Sequence, residues 1–87
     1  MNNFIDSLNL PLEGEMRGKQ YIIDVNTSDE FSSLFVAISL NDSLRLDDTS
    51  SIATTDESKF RYTDGTYDVI LSANYDENIY SLVVEER

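Results

Sequence analysis

Two runs of alternating apolar side chains flank Asp64-Gly65, and no other feature constrains the fold of this chain as tightly. Asp-Gly is a favoured pair for a two-residue type I′ hairpin turn. Placed there, it sets Thr63 opposite Thr66, Tyr62 opposite Tyr67, Arg61 opposite Asp68 and Phe60 opposite Val69. Side chains alternate along a strand, so Phe60, Tyr62, Tyr67, Val69 and Leu71 share one face. Arg61 and Asp68 then form an opposite-charge pair on the other face. Turn chemistry and side-chain pattern select the same register independently.

A second reversal is expected at Tyr75-Asp76-Glu77-Asn78. Pairing Asn74 with Ile79 brings Ala73 to Tyr80, Leu71 to Leu82 and Val69 to Val84, all on the face already apolar. Strands near 59–63, 66–74 and 79–85 therefore form a meander with one core-facing side. Its other side carries Lys59, Arg61, Asp68, Ile70, Ser72, Ser81, Val83 and Glu85, with Ile70 and Val83 as cross-strand neighbours.

Upstream, residues 19–26 alternate with Tyr21, Ile23 and Val25 on one side, a strand signature. Residues 27–40 carry two patterns. Thr27-Ser28-Asp29-Glu30 is a capping box, followed by Phe31, Leu34, Phe35 and Ile38 at helical spacing. Leu34, Val36, Ile38 and Leu40 also alternate as a strand would. The short polar loop back to 19–26 weighs toward a strand over 33–40, with a helix as the alternative. Residues 43–47 read as a short strand, and the Ser- and Thr-rich stretch 48–58 as a mobile loop. A helical turn around Phe4, Ile5 and Leu8 precedes Pro11 and Gly14, which break regular structure. The expected fold is mainly antiparallel β: a small single sheet or sandwich with a C-terminal three-stranded meander, becoming α+β if residues 28–40 are helical. Residues 1–87 are read as a single acidic globular domain.

Charge bounds the function. Seventeen acids against six bases leave 6 − 17 = −11, with no histidine and no cysteine. The surplus is spread along the chain: residues 1–50 carry nine acids and three bases, and residues 51–87 eight and three. Such a surface repels nucleic acid and anionic membrane and attracts basic surfaces within a Debye length of roughly 8–10 Å. Without histidine or cysteine, the usual nucleophile–base arrangements and thiolate or imidazole metal sites cannot be assembled. A carboxylate-pair mechanism needs a deep cleft, which a chain this short rarely builds. Asn41, Asp42, Asp47 and Asp48, or Asp76, Glu77 and Asn78, lack the spacing of a calcium loop. No enzyme activity, cofactor or metal is expected. The chain lacks a signal-peptide pattern and any apolar run near the roughly 20 residues that span a bilayer. A cytoplasmic protein is expected, in the host cell's cytoplasm if the source is viral.

Five adjacent acid pairs stand out: Asp29-Glu30, Asp47-Asp48, Asp56-Glu57, Asp76-Glu77 and Glu85-Glu86. Together with Tyr75, a loop aromatic beside two of them, they are the predicted partner-binding residues. The plain reading is that turns are polar and that acids keep a small domain dispersed. The functional reading is mimicry of a phosphate array. On it, this non-enzymatic protein, as monomer or dimer, occupies the nucleic-acid-binding surface of a basic enzyme or complex and binds no nucleic acid itself. Small phage- or plasmid-encoded inhibitors of restriction or RNA-guided defence share this compositional profile, without any shared motif. The alternative is a structural or assembly module, such as a virion component, that pairs through exposed strand edges at 19–26 or 79–85.

Overall fold

The computed structural model describes residues 1–87 and contains two helices and one sheet. Helix α1 spans Asn2–Ser7 and α2 spans Ser28–Ser39. The strands are β1 (Glu15–Arg17), β2 (Gln20–Val25), β3 (Arg45–Leu46), β4 (Ile52–Ala53), β5 (Glu57–Thr63), β6 (Tyr67–Asn74) and β7 (Ile79–Glu86). All neighbours are antiparallel, in the order β1-β2-β7-β6-β5-β3, with β4 also on the free side of β5. Both helices cover the same face, so the architecture is a two-layer α+β domain. No helix is long and apolar enough to cross a membrane.

The C-terminal meander follows its side-chain pattern. β6 and β7 pair Asn74 with Ile79, Ala73 with Tyr80, Leu71 with Leu82 and Val69 with Val84, the expected register. Asn78 closes that turn in the left-handed region, at φ 54°, a conformation asparagine tolerates better than most residues.

The Asp64-Gly65 turn differs from the expectation. Thr63 stands opposite Asp68, and Phe60 opposite Leu71, so the register slides by two residues. Gly65 takes a positive φ of 99° but Asp64 does not, whereas a type I′ turn needs both. The cause is side-chain chemistry. The Asp64 carboxylate accepts the N–H groups of Thr66 and Tyr67, both at 2.8 Å, and the Thr63 hydroxyl accepts that of Gly65 at 2.9 Å. These bonds hold a four-residue loop. A slip of two preserves every side chain's face, so the predicted apolar face survives.

Ser28–Ser39 is helical, not the strand over 33–40 toward which alternation pointed. Phe31, Leu34 and Ile38 are buried, while Val36 and Leu40 are 53% and 74% exposed. A strand would have put those last two on the same side as Leu34 and Ile38. The Thr27 hydroxyl caps the helix by accepting the Glu30 N–H and in turn donates to the Glu30 carboxylate at 3.0 Å. Burial of a 3.6-residue stripe outweighs the β preference of Val36 and Ile38, because the sheet's apolar face needs a cover. The partner expected for β2 is accordingly replaced: β2 lies between β1 and β7.

Residues 48–58 are also more ordered than expected. They hold a 3₁₀ turn at Asp48–Ser50, strand β4 and the first residues of β5. Near the amino terminus, α1 ends ahead of Pro11, and Leu8 enters the core. Gly14 runs so close to β2 that an added Cβ would sit 2.2 Å from the Ile22 carbonyl.

The sheet's uncovered face carries an ion network. Arg61 on β5 pairs with Asp68 on β6 and lies 3.6 Å from Glu85 on β7. Arg87 pairs with Asp47 at 2.7 Å and approaches Asp68 at 3.8 Å. Asp68 is only 2% exposed, and its Oδ1 accepts no hydrogen bond. Removing one partner of a buried ion pair leaves an uncompensated charge. Arg61→Met should therefore lower stability by about 3–5 kcal/mol, and Arg61→Met/Asp68→Leu should recover most of it in chemical denaturation. An additive double variant would contradict this pairing.

Asp64 supplies a pH signature. Backbone N–H donation, chiefly from Tyr67, holds its carboxyl below the ordinary value. A folded pKa below the unfolded one of about 3.9 means that the stabilisation is complete above that pH and lost as pH falls through the folded value. The stability difference between the native chain and Asp64→Asn, followed by thermal unfolding, should thus shrink on acidification below about pH 4.

Candidate functional site

Strand polarity distributes the five acid pairs between opposite ends of the sheet. Val25, the last residue of β2, pairs with Tyr80, so α2 begins beside the β6–β7 hairpin. Glu57, the first residue of β5, pairs with Asn74 at the same end. The backbone N–H of Tyr75 donates to the Asp56 carbonyl at 2.8 Å, tying the β4–β5 turn to that hairpin. Asp29-Glu30, Asp56-Glu57 and Asp76-Glu77 are therefore brought together at one end, with Tyr75 between the last two pairs.

None of these six carboxylates forms an ion pair, since the ion pairs of the structure involve only Arg17, Arg61 and Arg87. Local backbone chemistry fixes their positions. Asp29 and Glu30 occupy the first turn of α2, where the helix dipole favours negative charge. Glu57 donates its N–H to the Thr54 hydroxyl, and Glu77 donates its own to Asn74 Oδ1.

The other two pairs lie apart from this cluster. Asp47 accepts from Thr49 and Arg87, and those bonds hold its carboxyl below the ordinary range. Asp48 sits exposed beside it in the 3₁₀ turn. Glu85 accepts from Gln20 at 2.7 Å and faces Arg61, while exposed Glu86 stands opposite Tyr67. Asp47 and Glu85 thus belong to the ion network of the fold.

Tyr75 is 44% exposed, but its position is fixed. Its hydroxyl shares a 3.0 Å hydrogen bond with Ser58 Oγ, and its ring lies 6.2 Å from that of Tyr80, which stacks near Phe31. Tyr75 forms one wall of a groove of ≈ 370 Å³, whose other apolar lining comes from Phe31, Phe35, Val36 and Phe60. Sequence reasoning missed this groove. The helical spacing of Phe31 and Phe35 was visible, but the strand reading of 33–40 hid which side chains would meet Phe60.

Chemically, the site presents extended anionic charge beside an apolar trough. No group of three or more carboxylates converges to hold a metal ion. No protein-family model matches the chain, and no curated protein and no solved structure matches it either.

Unpaired acids at close quarters repel one another. Asp76→Lys should stabilise the fold slightly, by about 0.2–0.5 kcal/mol at low salt, whereas Asp47→Lys should destabilise it by breaking the Arg87 contact. Thermal unfolding of both variants at two salt concentrations checks the contrast.

Proposed function

We propose that this chain is a non-enzymatic acidic binding protein that occupies the nucleic-acid-binding surface of a basic partner in the cytoplasm. One observation carries the reading: six carboxylates without counter-charge lie at one end of the domain, four at the sheet's turns and two on the first turn of α2. That end spans β2, β7, β6 and β5, three interstrand steps of about 4.8 Å, or about 14 Å in all. Projected onto that length, the four charges of the sheet end and the two of α2 amount to one per roughly 2–2.5 Å, against one per about 1.7 Å of axis in duplex DNA. A cleft that grips phosphates meets a comparable charge density here, held by hydrogen-bonded turns.

The assembly alternative has a smaller contact surface than expected. Segment 79–85 is interior to the sheet, and β1 covers β2 at Gln20–Ile22 only, so Ile23–Val25 keeps an open side beside the short edge strands β1, β3 and β4. Short edge strands are a recognised defence against strand addition.

Long-range attraction should govern the association rate more than dissociation. Asp76→Lys/Glu77→Lys should therefore lower the on-rate for the basic partner by about 10- to 100-fold at low salt, while Glu13→Lys changes it little. Stopped-flow or surface-based kinetics on a partner recovered from lysate at low salt, together with displacement of that partner's nucleic acid, test the reading. Salt-independent binding, or undisturbed nucleic-acid binding by the partner, would reject it.

A further inference from the structure

We propose that the groove walled by Val36 and Tyr75 docks a short basic amphipathic segment of a partner protein, taking one aliphatic or aromatic side chain between flanking lysines or arginines. This inference rests on the acidic-binder reading and adds the chemical class of the docking element. Burial of an apolar anchor supplies affinity that charge alone does not.

Three features of the groove point to that occupant. First, its lining offers exposed apolar surface: Val36 and Tyr75 are 53% and 44% exposed, and the remaining lining residues are two serines and three phenylalanines. The serines, Ser28 and Ser32, stand one turn apart on α2, and their small side chains leave the depth open.

Second, acids adjoin the groove's rim, while the bases beside its lining, Lys59 and Arg61 on either side of Phe60, point to the opposite face of the sheet. Asp29 lies on the same helical stripe as Ser32 and Val36, three and seven residues before them. Asp76 follows Tyr75 directly, and the Asp56 carbonyl accepts the Tyr75 N–H. None of these three carboxylates is ion-paired. An occupant that brings positive charge to that rim complements these carboxylates, whereas an acidic one is repelled by them. Third, the Tyr75–Ser58 hydrogen bond fixes the wall before any ligand arrives, which reduces the ordering cost of binding.

Two labelled synthetic peptides of equal charge test the proposal: a Lys-flanked amphipathic helix bearing leucines on one face, and the same sequence with alanines in their place. Titrated with the full chain by fluorescence anisotropy, the leucine peptide should bind about tenfold more tightly. Both should weaken with salt while that ratio persists. Ser32→Trp, which fills the trough without changing charge, should reduce the leucine peptide to the level of the alanine peptide and leave the latter unchanged. Backbone amide shifts of the native chain, expected at Ser32, Val36 and Tyr75, give a second readout that does not depend on how the variant folds. Equal affinity for the two peptides, or shifts confined to other segments, would overturn the groove and leave the acidic reading standing. Failure of both peptides to bind even at low salt would overturn the acidic reading and the groove with it.

Discussion

Across the middle of the sheet, Ile23, Leu82, Leu71 and Phe60 lie side by side on β2, β7, β6 and β5. The rungs on either side are Tyr21, Val84, Val69 and Tyr62, then Val25, Tyr80, Ala73 and Ser58. This ladder is a nearly continuous apolar surface that cannot remain in water, and the rest of the molecule is arranged to cover it. Leu34 and Ile38 from α2 and Leu8 after α1 supply the cover, each almost wholly removed from solvent. Cross-strand contacts and helix burial therefore support one another. The strands present a flat apolar face only when paired, and α2 is held in helical form by burying its stripe on that face.

A chain of 87 residues supplies one layer of helices, and the other side of the sheet is bare of them, although Thr63, Asp68 and Ile70 on it are buried. That constraint explains the placement of charge. Arg17, Arg45, Lys59 and Arg61 all lie on the bare face, where alternation directs the polar positions of β1, β3 and β5. Arg87 reaches the same face through Asp47 and Asp68. Segments 1–14 and 26–44, which hold both helices, carry Asp6, Glu13, Asp29, Glu30 and Asp42 and no base at all. The net charge of −11 is thus divided unevenly. A network with internal neutralisation lies on one face, and unopposed carboxylates lie on the helical side and at the hairpin end. A basic partner approaching this molecule experiences an oriented field as well as a net charge.

The same division separates two kinds of acid that look alike in sequence. Asp47-Asp48 and Asp76-Glu77 are both adjacent pairs near turns. Asp47 is engaged by Thr49 and by Arg87, forty residues away, while Asp76 and Glu77 have no basic partner. Stability draws on Asp47 of the first pair, and the second pair is left without counter-charge. A small domain has about 5–15 kcal/mol of stability in total. Six carboxylates left to repel one another at a single end are therefore a cost set against that small total. The groove beside them is built from residues that are also core, Phe31 above all, so it is continuous with the packing that holds α2 in place.

Much of this architecture is already fixed by short-range pattern. The faces of β5, β6 and β7, the Asn74–Ile79 hairpin, the strand at 20–25 and the breaks at Pro11 and Gly14 follow from alternation and turn residues acting within a few positions. The Asp64 loop could slide by two without consequence, since side-chain facing has a period of two. Other features were decided elsewhere in the chain. Leu34, Val36, Ile38 and Leu40 satisfy a strand pattern locally while the Thr27 cap favours a helix, and the need to cover the sheet's apolar face decides between them. Which acids stay unpaired depends on where Arg61 and Arg87 come to rest, and that in turn depends on strand order. Local sequence determines conformation and facing because those depend on neighbouring bonds. Tertiary structure alone decides neighbours distant in the chain, and with them the meeting of Asp29, Asp56 and Asp76 around Tyr75.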